Sequence, residues 1–366
     1  MFVGCCALLW SYWERLKNPK KKIFISADCW LSVFELLEPL QLGLGIAMIS
    51  HRFDFYVDEH FKTRKWALKF ILIQRKIGEN GTKEMEIVNF DGETMPIPKM
   101  QLPRKLIGFK WIIIQYIDQN AIAFLHRLYP LFDSCPIHLI IRTDGDRILE
   151  FIMHNIWPMI AKNICGLYLM DSFGRLRKFF PSILNDCPLL RVVTFYATAN
   201  LFTAFPADDN ATASDGQALA KWLFTPLQSN VPKMLRCPLD MDDGTLASNI
   251  EAFKAAFASA SSPATFIVVT SFPQSFADSV VPFVLTNELT REQLAFKRAT
   301  NDTHHFLFVR CPIARDESKW TKLEEEAIGW RIDNQWDQID VQINDEDDVG
   351  DGLIGETPGP SDQQQK

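Results

Sequence analysis

Apolar side chains recur along this chain in two rhythms. Near the start they fall at helical spacing: Trp30, Val33, Phe34 and Leu37 stand at i, i+3, i+4 and i+7, one stripe of an amphipathic helix. Ser26 is placed to cap that helix, Asp28 adds a carboxylate where the helix dipole favours one, and Pro39 ends it. Leu42, Ile46 and Ile49 supply a second stripe, and Val57 and Phe61 anchor a third helix. Farther on the rhythm changes to unbroken apolar runs at Trp111–Ile117, Ile137–Ile141, Leu167–Met170, Leu190–Phe195 and Phe266–Thr270, which read as strands. The first four are spaced by roughly 24 to 29 residues, near the period of leucine-rich solenoids. Helix-like segments lie between them, such as Arg147–Ile160 with Ile148, Phe151, Ile152 and Ile156 on one face, then Trp222–Leu223 and Ile250–Phe257.

A strand-helix unit of this size cannot bury its apolar face alone and must stack on its neighbours. The pattern therefore predicts an α+β/α/β chain whose repeats build a leucine-rich-repeat-like curved sheet over 105–275, in preference to an ordinary doubly wound fold. Before it, 68–104 reads as a β-hairpin, turning at Asn80-Gly81, and a proline-punctuated linker. Phe202 to Asn230 reads as an irregular repeat that projects as a loop. Residues 276–343 read as a small antiparallel cap with a last strand near Trp336–Ile343, covering an otherwise open sheet edge. The acidic, glycine-rich stretch 344–366 reads as a disordered tail.

The N-terminal helices carry a resemblance. The segment 23–67, with Ile25-Ser26-Ala27-Asp28-Cys29-Trp30-Leu31, Leu36-Leu37-Glu38-Pro39-Leu40 and Ile49-Ser50-His51-Arg52-Phe53, resembles an F-box. That three-helix module docks a protein onto the Skp-type adaptor of a cullin-based ubiquitin ligase. The whole chain resembles the large F-box families expanded in nematodes, notably plant-parasitic ones, which carry a stretch like Arg310-Cys311-Pro312-Ile313-Ala314-Arg315-Asp316 near the end. The resemblance implies a non-catalytic substrate-recognition subunit: Ile25, Leu31, Phe34, Leu37, Pro39, Leu42 and Ile49 form the adaptor-facing and core surface, and the repeats hold a target protein. Ser26 replaces the proline common in the family, and Gly43 and Gly45 interrupt the second helix at roughly 1 kcal/mol each. These departures motivate the alternative of a repeat scaffold or secreted effector whose F-box no longer engages a ligase.

Composition narrows the picture. The 366 residues are 47% hydrophobic with net charge −7, which is enough for a large core and argues against general nucleic-acid binding. The leader 1–22 combines an apolar start with the basic run Lys20-Lys21-Lys22; no basic residue precedes the apolar stretch, so it reads as a leader rather than a secretion signal. Four of the eight cysteines precede proline, at Cys135, Cys187, Cys237 and Cys311, and none forms a Cys-x-x-Cys knuckle. Buried reduced thiols in a cytoplasmic or nuclear protein follow, with no membrane partner. The literal Gly350-Asp351-Gly352-Leu353-Ile354-Gly355 lacks the βαβ context of a dinucleotide loop. Asp144-Gly145-Asp146 reads as a strand-helix turn, and His304-His305 as surface histidines, which leaves the expectation of no catalytic site, no metal and no cofactor.

Overall fold

A computed structural model describes residues 25–353 except 38–40, 62–65, 79–81, 90–91, 93, 96–105, 144, 170–172, 196–201, 228–230, 240–242, 273–280, 300–304 and 351–352. The expected tract 1–22, with its leader, lies outside the described residues.

The chain is a mixed α/β protein built on one 13-stranded, mostly parallel sheet. In chain order the strands are β1 (Trp66–Ile77), β2 (Lys83–Val88), β3 (Thr94–Met95), β4 (Leu106–Ile114), β5 (Ile137–Ile141), β6 (Ile164–Leu169), β7 (Val192–Phe195), β8 (Lys233–Arg236), β9 (Phe266–Thr270), β10 (Phe283–Asn287), β11 (Glu292–Arg298), β12 (Phe306–Pro312) and β13 (Gln338–Val341). Across the sheet they run β10-β11-β12-β9-β8-β7-β6-β5-β13-β4-β1-β2-β3. The eight from β9 to β1 are mutually parallel, while β12, β11 and β10 continue antiparallel at one side and β2 and β3 at the other.

The helices are α1 (Ala27–Phe34), α2 (His51–His60), α3 (Gln119–Phe132), α4 (Asp146–Asn155), α5 (Trp157–Ile160), α6 (Phe173–Phe179), α7 (Asp215–Phe224), α8 (Asp243–Ala258) and α9 (Glu317–Gly329). The strand pleat sorts side chains between two layers. On β9, Phe266 and Val268 join the large core beneath α3 to α8, whereas Ile267 and Val269 meet Trp320 and Ala327 of α9 on the opposite face. Coverage on both faces explains why strands such as β5 and β9 are apolar runs without alternation. The large core also takes in Phe34, Leu42, Ala47, Val57 and Phe61, which joins the N-terminal helices to the sheet. Among the described residues no helix is long and apolar enough to cross a membrane.

Four local expectations need correction. The last strand is not part of the antiparallel cap: β13 lies between β4 and β5 and pairs parallel with both, Ile339 standing opposite Ile112 and Leu139. Residues 344–350 are not a disordered tail. Val349 bridges Ile117, Asp345 accepts from the Asp348 amide, and Glu346 and Asp347 pair with Arg147 and Lys83. The segment 202–227 does not project. Phe202 and Thr203 are buried, Ser214 and Gln217 form a reciprocal capping box, and α7 sends Leu219, Trp222 and Leu223 into the core. Arg177 fixes the loop before α7 by donating to the carbonyls of Asn210 and Ala213 and pairing with Asp215 at 2.7 Å. Finally, the helix expected over 147–160 is two, α4 and α5, because Pro158 cannot donate within a continuous helix.

Candidate docking surface

Ser26 caps α1, its hydroxyl accepting from the Cys29 amide at 3.4 Å. Phe34 then enters the core, and Trp30 meets Phe53 of α2 edge-on, with ring centroids 4.8 Å apart. Ser50 caps α2 in the same way, through the Phe53 amide at 3.4 Å. Val57 and Phe61 pack inward, and His60 lies between the rings of Phe34 and Phe61. Arg52 ties the two helices together, donating to the Ile25 carbonyl at 3.3 Å and to the Tyr56 hydroxyl at 2.9 Å.

Between them the expected second α-helix is replaced by a π-helix over Gln41–Ile46 and a 3₁₀ turn over Ala47–Ile49. Gly43 and Gly45 fall inside the π segment, where the weak helix preference of glycine lets the backbone leave α geometry. Leu42 and Ala47 still reach the core from this segment.

The seven residues singled out from the sequence therefore separate. Phe34 and Leu42 are buried, Ile25, Leu31 and Leu37 are half-buried, Ile49 is 51% exposed, and Pro39 lies outside the described residues. Two further apolar side chains are exposed here and were passed over: Leu36 at 83% and Phe55 at 59%. Leu36 lies in the turn after α1 and Phe55 off the apolar stripe of α2, and an apolar residue out of phase with the neighbouring stripe was the available signal.

Other reactive groups are held in structural roles. His138 of β5 and Cys165 of β6 approach to 3.5 Å. Burial pulls the His138 pKa down to about 4 and pushes the Cys165 thiol up to about 12, the reverse of an activated thiolate–imidazolium pair. Burial likewise raises Cys135 and Cys237 to about 12. Lys233 is buried against the end of α7, donating to the carbonyls of Trp222 and Thr225 and lying 5.0 Å from the Trp222 ring centroid. These two bonds close the helix's last turn. Asp340 of β13 is wholly buried and accepts from Arg142 Nε at 3.0 Å and from Gln342.

The other sequence motifs resolve in the same way. Asp146 opens α4 and pairs with Lys178 at 3.2 Å, while the N-cap position is Gly145, which has no side chain to bond. Gly350 is a packing glycine: a Cβ there would lie 2.7 Å from Asp118 Cβ, at the cap of α3. Among the described residues no cluster of three His, Cys, Asp or Glu side chains is arranged to hold a metal. Compared with protein-family models, curated proteins and solved structures, the chain matches none.

Proposed function

We propose that this chain is a non-catalytic substrate-recognition subunit of a cullin-based, SCF-type ubiquitin ligase. In this reading residues 23–67 are an F-box that docks a Skp-type adaptor, the sheet region presents a target protein, and another enzyme of the complex transfers ubiquitin. The observation that carries the reading is the sorting of apolar side chains over 25–61. Phe34, Leu42, Ala47 and Val57 fill the core, whereas Leu36, Ile49 and Phe55 face solvent on a small helical module, where burial against a partner is worth about 25 cal/mol per Å². The resemblance to nematode F-box proteins gives the partner its identity. The sequential parallel strands from β4 to β9, broken only by β13, support the leucine-rich-repeat-like reading of the target-binding region. A cytoplasmic or nuclear location belongs to the same proposal.

Calorimetric titration of the full chain with a purified Skp-type adaptor tests it. The wild type binds, and Leu36→Asp and Ile49→Asp each weaken binding by about tenfold or more while leaving thermal unfolding unchanged, as for anchors of an interface. A charge at Phe34 would instead report on folding, because that ring is buried. No binding by the wild type would overturn the reading. The scaffold or effector alternative, which the π-helix at Gly43 and Gly45 favours, would then take its place.

A further inference from the structure

We propose that a cleft at the carboxyl ends of β6 to β9 binds a small oxyanion, a phosphate or carboxylate carried on a flat apolar body. The cleft is independent of the docking surface and encloses about 360 Å³. That is enough for a small organic ligand. It lies beyond the carboxyl ends of neighbouring parallel strands that follow one another in sequence. Tyr168, Thr194, Arg236 and Thr270 come from four successive parallel strands, and Trp330 to Asp333 close it from the segment after α9.

Its wall has two kinds of surface. One is flat and aromatic. The Trp330 indole donates to the Tyr168 hydroxyl, and His138 backs both rings, at 5.8 Å from Trp330 and 6.1 Å from Tyr168 between centroids. Gly166 makes this stacking possible, since a Cβ there would fall 2.3 Å from His138 Nδ1. The other surface is cationic and hydroxylic. Arg236 donates to the last carbonyls of α9, at Ala327 and Ile328, so its guanidinium is held in place at the cleft edge. Arg331 is exposed. The cleft lining thus carries two guanidiniums, Arg236 and Arg331, and one imidazole, His305, against one carboxylate, Asp333. Planar guanidinium groups match the geometry of carboxylate and phosphate.

Titrating the full chain calorimetrically with phenyl phosphate, benzoate, inorganic phosphate and benzyl alcohol tests the proposal. Phenyl phosphate or benzoate saturates the protein at millimolar concentration or below, and both controls bind more weakly. Arg331→Gln reduces affinity by about tenfold, the usual scale for one charged hydrogen-bonding partner. No saturation by either aromatic anion, or undiminished binding by Arg331→Gln, would overturn the site. Equal binding of inorganic phosphate would overturn the flat apolar body, and equal binding of benzyl alcohol the anion.

Discussion

Arg310 is wholly buried on β12, yet its guanidinium donates through both Nε and Nη2 to a single oxygen of Glu292, Oε2, at 3.0 and 2.6 Å. Nη2 also donates to the Ser262 carbonyl, and the rings of Phe224 and Phe257 lie 5.2 and 5.3 Å from its centre. Glu292 in turn accepts from the Ala264 amide at the entry to β9. A buried pair of this kind adds little over an apolar pair, but breaking it leaves a bare charge. We expect Arg310→Met to lower unfolding free energy by about 3–5 kcal/mol in urea titrations. Adding Glu292→Leu should recover part of that loss and not all of it, because the Ala264 amide stays unsatisfied. The arginine was visible in the sequence as part of Arg310-Cys311-Pro312. Its burial was not, since an arginine is exposed unless its partner is in place, and Glu292 enters only through the β11–β12 pairing.

At the scale of elements, α1, α2 and the central strands were legible because each is set by local chemistry. Ser26 and Ser50 cap their helices, and the runs at Ile137–Ile141 and Phe266–Thr270 are strands with the bounds they were read with. The last strand was also read, but the place of β13 between β4 and β5 and the ordered path of the stretch after it were not, because their partners are distant. Gln338 and Asp340 break the apolar run expected of a central strand. They are accommodated because Gln338 donates to the Ile332 and Gln335 carbonyls and Asp340 meets Arg142. Beyond β13, Gly350 donates its amide to the Ile117 carbonyl at 2.7 Å and backs onto Asp118. Gly350→Ala should therefore destabilise by about 1–3 kcal/mol through overpacking, measured as a lower midpoint in thermal unfolding. An unchanged midpoint would show that this stretch does not contribute to the fold.

For the molecule as a whole, two buried bases tie stability to pH in the same direction. Burial lowers His138 from its ordinary 6.5 to about 4 and Lys233 from 10.5 to about 7. In each window the unfolded chain holds a proton that the folded chain does not, so folding weakens as pH falls through it. The His138 contribution is complete above 6.5 and lost towards 4; the Lys233 contribution is complete above 10.5 and lost towards 7. Each slope approaches about 1.4 kcal/mol per pH unit at most. Asp337 and Asp340, raised by burial, act in the opposite sense above their ordinary carboxylate range, so the comparison is between wild type and variant. Lys233→Met should flatten the dependence between pH 7 and 10.5, and His138→Gln that between 4 and 6.5, in chemical denaturation followed across pH. Parallel curves for wild type and variant would refute the linkage.

The sequence by itself determined what depends on near neighbours: the capped N-terminal helices, the strand-like runs and the apolar fraction that fills the core. Hydrophobic period and capping act within a few residues, so one chain suffices to read them. Tertiary structure decided whatever needs two distant segments at once. It placed β13 between β4 and β5, buried Arg310 and Asp340, drew the acidic stretch onto Ile117, and separated inward Phe34 and Leu42 from outward Leu36, Ile49 and Phe55. The cleft belongs wholly to that second class. Its walls come from four strands and two further segments, and residues so far apart in the chain share a surface only after the sheet has formed.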